Sequence, residues 1–264
     1  MAHARPTAGV YRAHRPIMGT VASVQVHDPA PHIEIAAAVH DVFAELDRLE
    51  DIFSTFRAHS QISRVNRGEL ALVECDDEVL EVMDACTWLE HQSDGAFRSR
   101  RPDPPFPLDP AGFVKGWATE RAARALDDAG LARWYVSVGG DLCTRGAPVG
   151  CDAWPIAIAD PFDASRAIAT VEVPAGHAIA TSGVGARGLH LWDGRDGTRA
   201  AAFASLTVVG PSLAWADAFA TAAFARGHDG LGWLARFDGY VGFAVRRDGT
   251  IDRGDSLPRL AWPA

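Results

Sequence analysis

Between Ile33 and Phe53 the apolar residues Ile35, Val39, Val42, Phe43, Leu46, Leu49 and Phe53 fall at helical spacing, and their exposed neighbours are charged. This is a long amphipathic helix, and an apolar stripe of that length must be covered by a further layer of structure. At 264 residues and 48% hydrophobic content the chain has material for a substantial core.

Helices and strands are mixed along the rest of the chain. Residues 19–27 alternate as a first strand, and a second helix fits 77–91, closed by Ser93-Asp94-Gly95. Residues 98–110 are rich in Pro, Arg and Asp and read as loop. A third helix follows, with Asp109 as N-cap, Pro110 at its first position and an alanine-rich run to Gly130. Strands are predicted at 134–138, 155–159, 167–173, 177–180 and 201–209, helices at 212–226 and 229–237, and a last strand at 240–246. The order lacks regular βαβ alternation, which predicts an α+β fold. Neither an internal repeat nor a linker divides residues 1–264, so they are read as a single domain.

Twenty-five basic residues against 34 acidic give a formal charge of −9, which disfavours nucleic acid as a partner. The arginines of Arg98–Arg101 form a local basic cluster, read as a solvated loop. No stretch approaches the ~20 apolar residues needed to cross a bilayer. The start, Met1-Ala-His-Ala-Arg-Pro, lacks the apolar core of a signal peptide and a cysteine for a lipid. Cys75, Cys86, Cys143 and Cys151 show no Cys-x-x-Cys pair and no metal-ligand spacing, as expected of buried thiols in a reducing compartment. The expectation is a cytoplasmic protein with no membrane partner.

The candidate chemistry is concentrated between residues 109 and 217. Asp109-Pro-Ala-Gly112-Phe-Val-Lys115-Gly116 places a lysine in the opening turns of a helix, where free amides, dipole and ammonium suit a phosphate. A turn with a surface lysine is the alternative. In Val136-Ser-Val-Gly139-Gly140-Asp141 a strand runs into a double glycine, which lets backbone approach a flat ligand or simply closes a hairpin. Ala180-Thr181-Ser182-Gly183 is a ligand clamp or an ordinary turn. Asp217 and Thr221 stand four apart on a helix, so their oxygens share one face among alanines small enough to admit a ligand. Both are hard oxygen donors of the kind Mg²⁺ accepts; the alternative for Thr221 is a bond to a backbone carbonyl. His190-Leu-Trp-Asp193-Gly194-Arg195-Asp196-Gly197 brings a histidine, with its near-neutral pKa, close to two aspartates.

Other segments complete the series: Met18-Gly19-Thr20, Phe53-Ser-Thr-Phe-Arg-Ala-His-Ser60-Gln-Ile-Ser-Arg64-Val-Asn66, Ser93-Asp-Gly-Ala-Phe97, Trp154–Pro161 and Thr207-Val-Val-Gly. In this order the segments resemble the ApbE family of FAD:protein FMN transferases along nearly the whole chain. The resemblance implies an α+β protein of mixed sheets flanked by helices, with FAD in a cleft and Mg²⁺ beside its pyrophosphate. It places Asp217 and Thr221 on the metal ligands, with a backbone carbonyl near Gly112. Lys115 falls on the phosphate-side lysine, and Met18, Gly139, Gly140, Asp141, Thr181 and Ser182 fall on flavin- or nucleotide-contacting positions. His190 falls on the histidine that assists transfer, with Asp193 to orient it. The implied partner is a flavoprotein whose acceptor threonine lies in a segment of the type Asp-(Gly/Ser)-(Ala/Ser)-Thr.

The sequence departs from the family pattern twice. Phe97 is followed by Arg-Ser-Arg-Arg where the family continues Asp-Pro-Thr, and the lysine motif then arrives early, which shortens one cleft wall. In the family's His-Ile-Ile-Asp-Pro-x-Thr-Gly, Gly194 replaces proline and Asp196 replaces threonine. The implied reaction is attack of a threonine hydroxyl on the FMN phosphorus of FAD, with AMP leaving. The alternatives are an FAD pyrophosphatase giving FMN and AMP, and a non-enzymatic FAD-binding carrier.

Overall fold

Two short strands lie ahead of the long helix. In the computed structural model, which describes residues 9–184 and 191–253 and the backbone of 260–261, β1 (Tyr11–Ile17) pairs antiparallel with β2 (Thr20–Val26). Met18 and Gly19 join them with φ angles of 51° and 68°, the left-handed pair that matches the twist of a two-residue hairpin. α1 (His32–Phe53) buries its predicted stripe from Ile35 to Phe53. α2 (Gln61–Asn66) is capped by Ser60, whose Oγ accepts from the Ser63 amide at 3.0 Å, and α3 (Asp77–Gln92) follows.

α4 (Ala111–Asp128) starts one residue later than expected. Pro110 is the N-cap, because its carbonyl accepts the first helical bonds from Phe113 and Val114 at 2.9 Å each. Asp109 stands one place further out and accepts from the Ala111 amide at 3.3 Å. Next come β3 (Trp134–Val138), β4 (Asp141–Arg145), β5 (Ala153–Asp160), β6 (Asp163–Pro174), β7 (Ala178–Gly183) and β8 (Phe203–Gly210). α5 (Leu213–Arg226) begins at Ser212, whose hydroxyl accepts from Trp215 N. The helix expected at 229–237 is only one 3-10 turn and the short α6 (Gly230–Leu234), with Gly227 and Gly230 at its entry. β9 (Val241–Arg246), β10 (Ile251–Arg253) and β11 (Leu260–Ala261) complete the set.

Eight strands form an antiparallel sheet in the order β1-β2-β3-β4-β7-β8-β9-β10, and β11-β6-β5 form a second. Alternation along the strands divides the core between the two faces of the large sheet. Ala178, Ala180, Leu206 and Val208 meet the helices, whereas Ile179, Val209, Phe243 and Val245 meet Trp154, Ile158, Ala169 and Val171 of the small sheet. β8 is covered on both faces and buried along its length. β1 was not legible because polar residues interrupt it and Pro16 breaks its donor row, which an edge strand tolerates. Among the described residues no helix is long and apolar enough to cross a membrane.

Candidate active site

The site begins where α4 and α5 touch at backbone distance. A Cβ on Gly116 would lie 2.5 Å from the Leu213 carbonyl oxygen and 2.9 Å from Asp217 Cβ. With no side chain there, Asp217 seats its Oδ2 on α4, accepting from the Gly116 amide at 3.0 Å and from Lys115 Nζ at 2.9 Å. Lys115 also donates to Asp141 Oδ2, and Asp141 Oδ1 accepts from the Thr181 amide at 2.7 Å. Asp141 and Asp217 are each 4% exposed, while the Lys115 side chain is 26% exposed. An ammonium at the surface therefore covers two buried carboxylates and offsets part of the cost of taking them out of water. The three charges leave one negative charge uncompensated.

Sequence reading placed Asp217 on an open face among ligand-admitting alanines. Asp217 is buried instead, and the alanines of α5, such as Ala216, Ala220 and Ala223, are core residues. Small side chains there allow close packing against the sheet and α4. Thr221 does share the Asp217 face as the i, i+4 spacing predicts, and its Oγ1 lies 3.1 Å from Ser182 Oγ rather than on a carbonyl. Gly112 adjoins it: a Cβ there would stand 3.2 Å from Thr221 Cγ2 and 2.9 Å from Phe97 Cε2. Thr181 Oγ1 meets Thr207 Oγ1 at 2.9 Å on the other side of β7.

Gly139 and Gly140 make the β3–β4 turn with φ angles of 64° and 96°, which leads directly into Asp141. The Gly139 amide donates to Val21 O at 3.0 Å, and a Cβ on Gly139 would be 3.2 Å from Thr20 Oγ1. The Met18–Gly19 turn, the double glycine and the end of β7 thus lie at one rim of the large sheet, beside Lys115 and Asp217. The structure brings Met18, Gly112, Lys115, Gly139, Gly140, Asp141, Thr181, Ser182, Asp217 and Thr221 to this region.

His190 lies outside the described residues. Asp193, expected to orient it, has both carboxylate oxygens engaged by Arg195 at 2.6–3.0 Å. The two departures from the family pattern touch each other. The Gly194 amide donates to Ala96 O at 2.8 Å, and a Cβ on Gly194 would lie 2.3 Å from Gly95 O and 2.6 Å from Arg98 Cγ. A proline would remove that donor and collide with the turn. Asp196 accepts from both the amide and hydroxyl of Thr198, at 2.8 and 2.7 Å, and closes the same loop.

Glu120 went unnoticed in the sequence. One Oε2 accepts from Ser212 Oγ at 2.8 Å and from the Ala214 amide at 3.1 Å, fixing the start of α5 from α4. Burial and the Glu120 charge push the neighbouring Tyr240 phenol up to about 12. Nothing in the local sequence signals this contact, because its partners are more than 90 positions away.

Two antiparallel sheets, with helices on one face of the larger and a lysine–carboxylate cluster at its rim, define an α+β protein. The ApbE family model matches residues 18–100 and 98–243, and the chain belongs to that family. The FAD:protein FMN transferase of Escherichia coli K12 is 30% identical over 186 residues, covering 65% of this chain and 53% of that protein. The Salmonella typhimurium FAD:protein FMN transferase is 31% identical over 144 residues, 51% of this chain and 41% of that one. The matched stretch thus spans about half the length of these curated relatives. In solved structures, the Thermotoga maritima ApbE protein superposes with a TM-score of 0.80 at 22% identity over 94% of this chain and 97% of its own. The Vibrio cholerae flavin transferase ApbE gives 0.77 at 22% identity over 95% and 98%.

Proposed function

We propose that this chain, as a single ApbE-like domain over residues 1–264, is an FAD:protein FMN transferase that moves the FMN half of FAD onto a threonine hydroxyl of a partner flavoprotein. The observation that supports the reading most is the Asp141–Lys115–Asp217 cluster, set beside the Ser182–Thr221 hydroxyl pair where the family-like segments converge. An ammonium held at the surface by buried carboxylates is positioned to turn toward an incoming pyrophosphate. A Cβ on Gly140 would meet nothing within 4 Å, so its backbone is open to a planar ring, and Met18, Gly139, Thr181 and Ser182 are assigned to the same ligand.

The donor set fits Mg²⁺. Asp217 and Thr221 supply hard oxygens, and the missing Cβ of Gly112 keeps its peptide against Thr221. Among the described residues no cluster of three or more His, Cys, Asp or Glu could hold a metal. Mg²⁺ commonly relies on one or two carboxylates, substrate phosphates and water, so this sparse set suffices. When bound, the ion supplies charge neutralisation at the pyrophosphate.

The chain's own residues then orient and neutralise. The acceptor Oγ forms a bond to the FMN phosphorus, the bond to the bridging oxygen breaks, and AMP leaves with that oxygen. Lys115 stabilises the charge on the departing phosphate. The threonine proton passes to His190, the candidate base, with Asp193 orienting it in competition with Arg195. Alignment matters more here than covalent help from the protein.

Mass spectrometry of the protein with FAD, Mg²⁺ and an acceptor peptide tests the reading. The peptide should gain the mass of FMN, and its Thr→Ala variant should not. Free FMN and AMP alone would replace the transferase with an FAD pyrophosphatase. Bound, unchanged FAD would replace it with a carrier.

A further inference from the structure

Residues 98–110 form a loop, as expected, and it folds back on itself as a finger beside the site. Its base is closed by the Asp109 amide donating to Ser99 O at 2.7 Å, by the Arg100–Leu108 bridge and by Arg101 N donating to Pro107 O at 3.0 Å. Asn66 clamps Leu108 from both sides, donating to its carbonyl at 2.9 Å and accepting from its amide at 2.7 Å. Phe97, one residue before the finger, lines Gly112 in the site itself. The finger is therefore continuous with the candidate site.

Its tip presents Phe106, 52% exposed and with a φ of 58°. A phenylalanine in the left-handed region costs about 1–2 kcal/mol, a conformation that glycine would adopt freely. The Phe106 amide donates to Asp103 O at 2.9 Å and its carbonyl accepts from Arg100 Nη1 at 3.1 Å, which holds the ring outward. Arg100 and Arg101 are exposed beside it, and Arg98 is exposed at the base of the finger. Arg98 and Arg101 face the carboxylates of Glu90 at 3.7 Å and Asp109 at 3.6 Å, ion pairs longer than a hydrogen bond that a ligand carboxylate can join. Both side chains are braced, Arg98 along Gly194 and Arg101 at 5.7 Å over the Trp192 ring. On a chain of formal charge −9, three exposed arginines within four residues outnumber Asp103 and Asp109 of the same segment and leave the finger net positive.

We propose that this finger docks the acceptor protein by an acidic, extended segment, with carboxylates on Arg98, Arg100 and Arg101 and an apolar side chain against Phe106. The proposal rests on the flavin-transfer reading for what the segment carries. Rim charges of this kind set partner choice and encounter more than chemistry.

Two fluorescein-labelled peptides with the same Asp-Gly-Ala-Thr centre, one flanked by glutamates and one by lysines, test it by anisotropy. The wild type should bind the glutamate-flanked peptide about tenfold more tightly, and Arg100→Gln with Arg101→Gln should erase that preference. Phe106→Gly suits the backbone at its position, so it should melt like the wild type while weakening both peptides. FAD affinity should stay unchanged in every variant. In turnover, acceptor KM should rise with kcat preserved. Equal binding of the two peptides by the wild type would overturn the proposal, as would loss of FAD affinity in Phe106→Gly. If no peptide ever gains FMN, the transferase reading fails, yet the anisotropy still decides the docking surface.

Discussion

Gly116→Ala sets two effects of opposite sign against each other at one position. In an open helix the change would gain about 1 kcal/mol, because alanine is the better helix former. At this position the new Cβ would meet the Leu213 carbonyl oxygen at 2.5 Å, Asp217 Cβ at 2.9 Å and Ala214 Cα at 3.1 Å. Two of those three neighbours are backbone, so no rotamer change relieves the overlap and α5 must move away from α4. Overpacking of this kind costs about 1–3 kcal/mol. The shift also stretches the Gly116 amide bond to the Asp217 carboxylate, a charged hydrogen bond worth about 1.5–3 kcal/mol. After the propensity gain, the net loss is about 2–4 kcal/mol, or a Tm lower by roughly 5–15 °C for a chain of this size. Thermal melting by circular dichroism reads this directly. Gly112→Ala serves as control, since its close neighbours are the Phe97 ring and the Thr221 methyl, side-chain atoms that can yield. A Gly116→Ala Tm equal to or above the wild type would refute the backbone-to-backbone contact of α4 and α5.

Lys115→Ala should reduce FMN transfer on the order of 10²–10³-fold, since it removes a charge donor at the departing phosphate. It also leaves Asp141 and Asp217 buried without their ammonium, so its melting temperature should fall, and an unchanged Tm would argue against that pairing. Asp217→Ala should abolish Mg²⁺ dependence and Thr221→Val should weaken it, with Mg²⁺ titration calorimetry as the check. Of the four cysteines, Cys151 alone is exposed, while burial pushes the Cys86 thiol up to about 12 and Cys143 higher still. Ellman's reagent at pH 8 should therefore label a single thiol in the native protein, and none in Cys151→Ser. The Arg48 guanidinium holds the Glu45 and Glu78 carboxyls below their ordinary value of 4.5. That stabilisation is present above pH ~4.5 and is lost as pH falls through the lower folded values. Because the Arg48 side chain is 45% exposed, Arg48→Gln should cost less than about 1 kcal/mol at pH 7. The gap between the two proteins in denaturation should narrow as the pH falls below ~4.5, and a gap that widens on acidification would contradict the pairing.

The amino-acid sequence by itself determined those elements whose pattern is local. The 3.6-residue stripe from Ile35 to Phe53, the helix at 212–226 and the short apolar runs of β3 and β9 all depend on neighbours within a few positions. The same holds for the spacing that sets Asp217 and Thr221 on one face, and the ordered segments were enough to suggest the family. Tertiary structure decided what those residues touch. Whether Asp217 faced solvent or core depended on Gly116 of another helix, and the partners of Lys115 come from β4 and α5. The 98–110 segment carries loop composition, yet Asn66 and the Gly194 turn hold it as a finger. β1 and β4 became strands because neighbouring strands satisfied their backbone groups, not because their side chains alternate cleanly. Local periodicity is written into consecutive residues, whereas burial and charge pairing are set by segments that meet only when the chain folds.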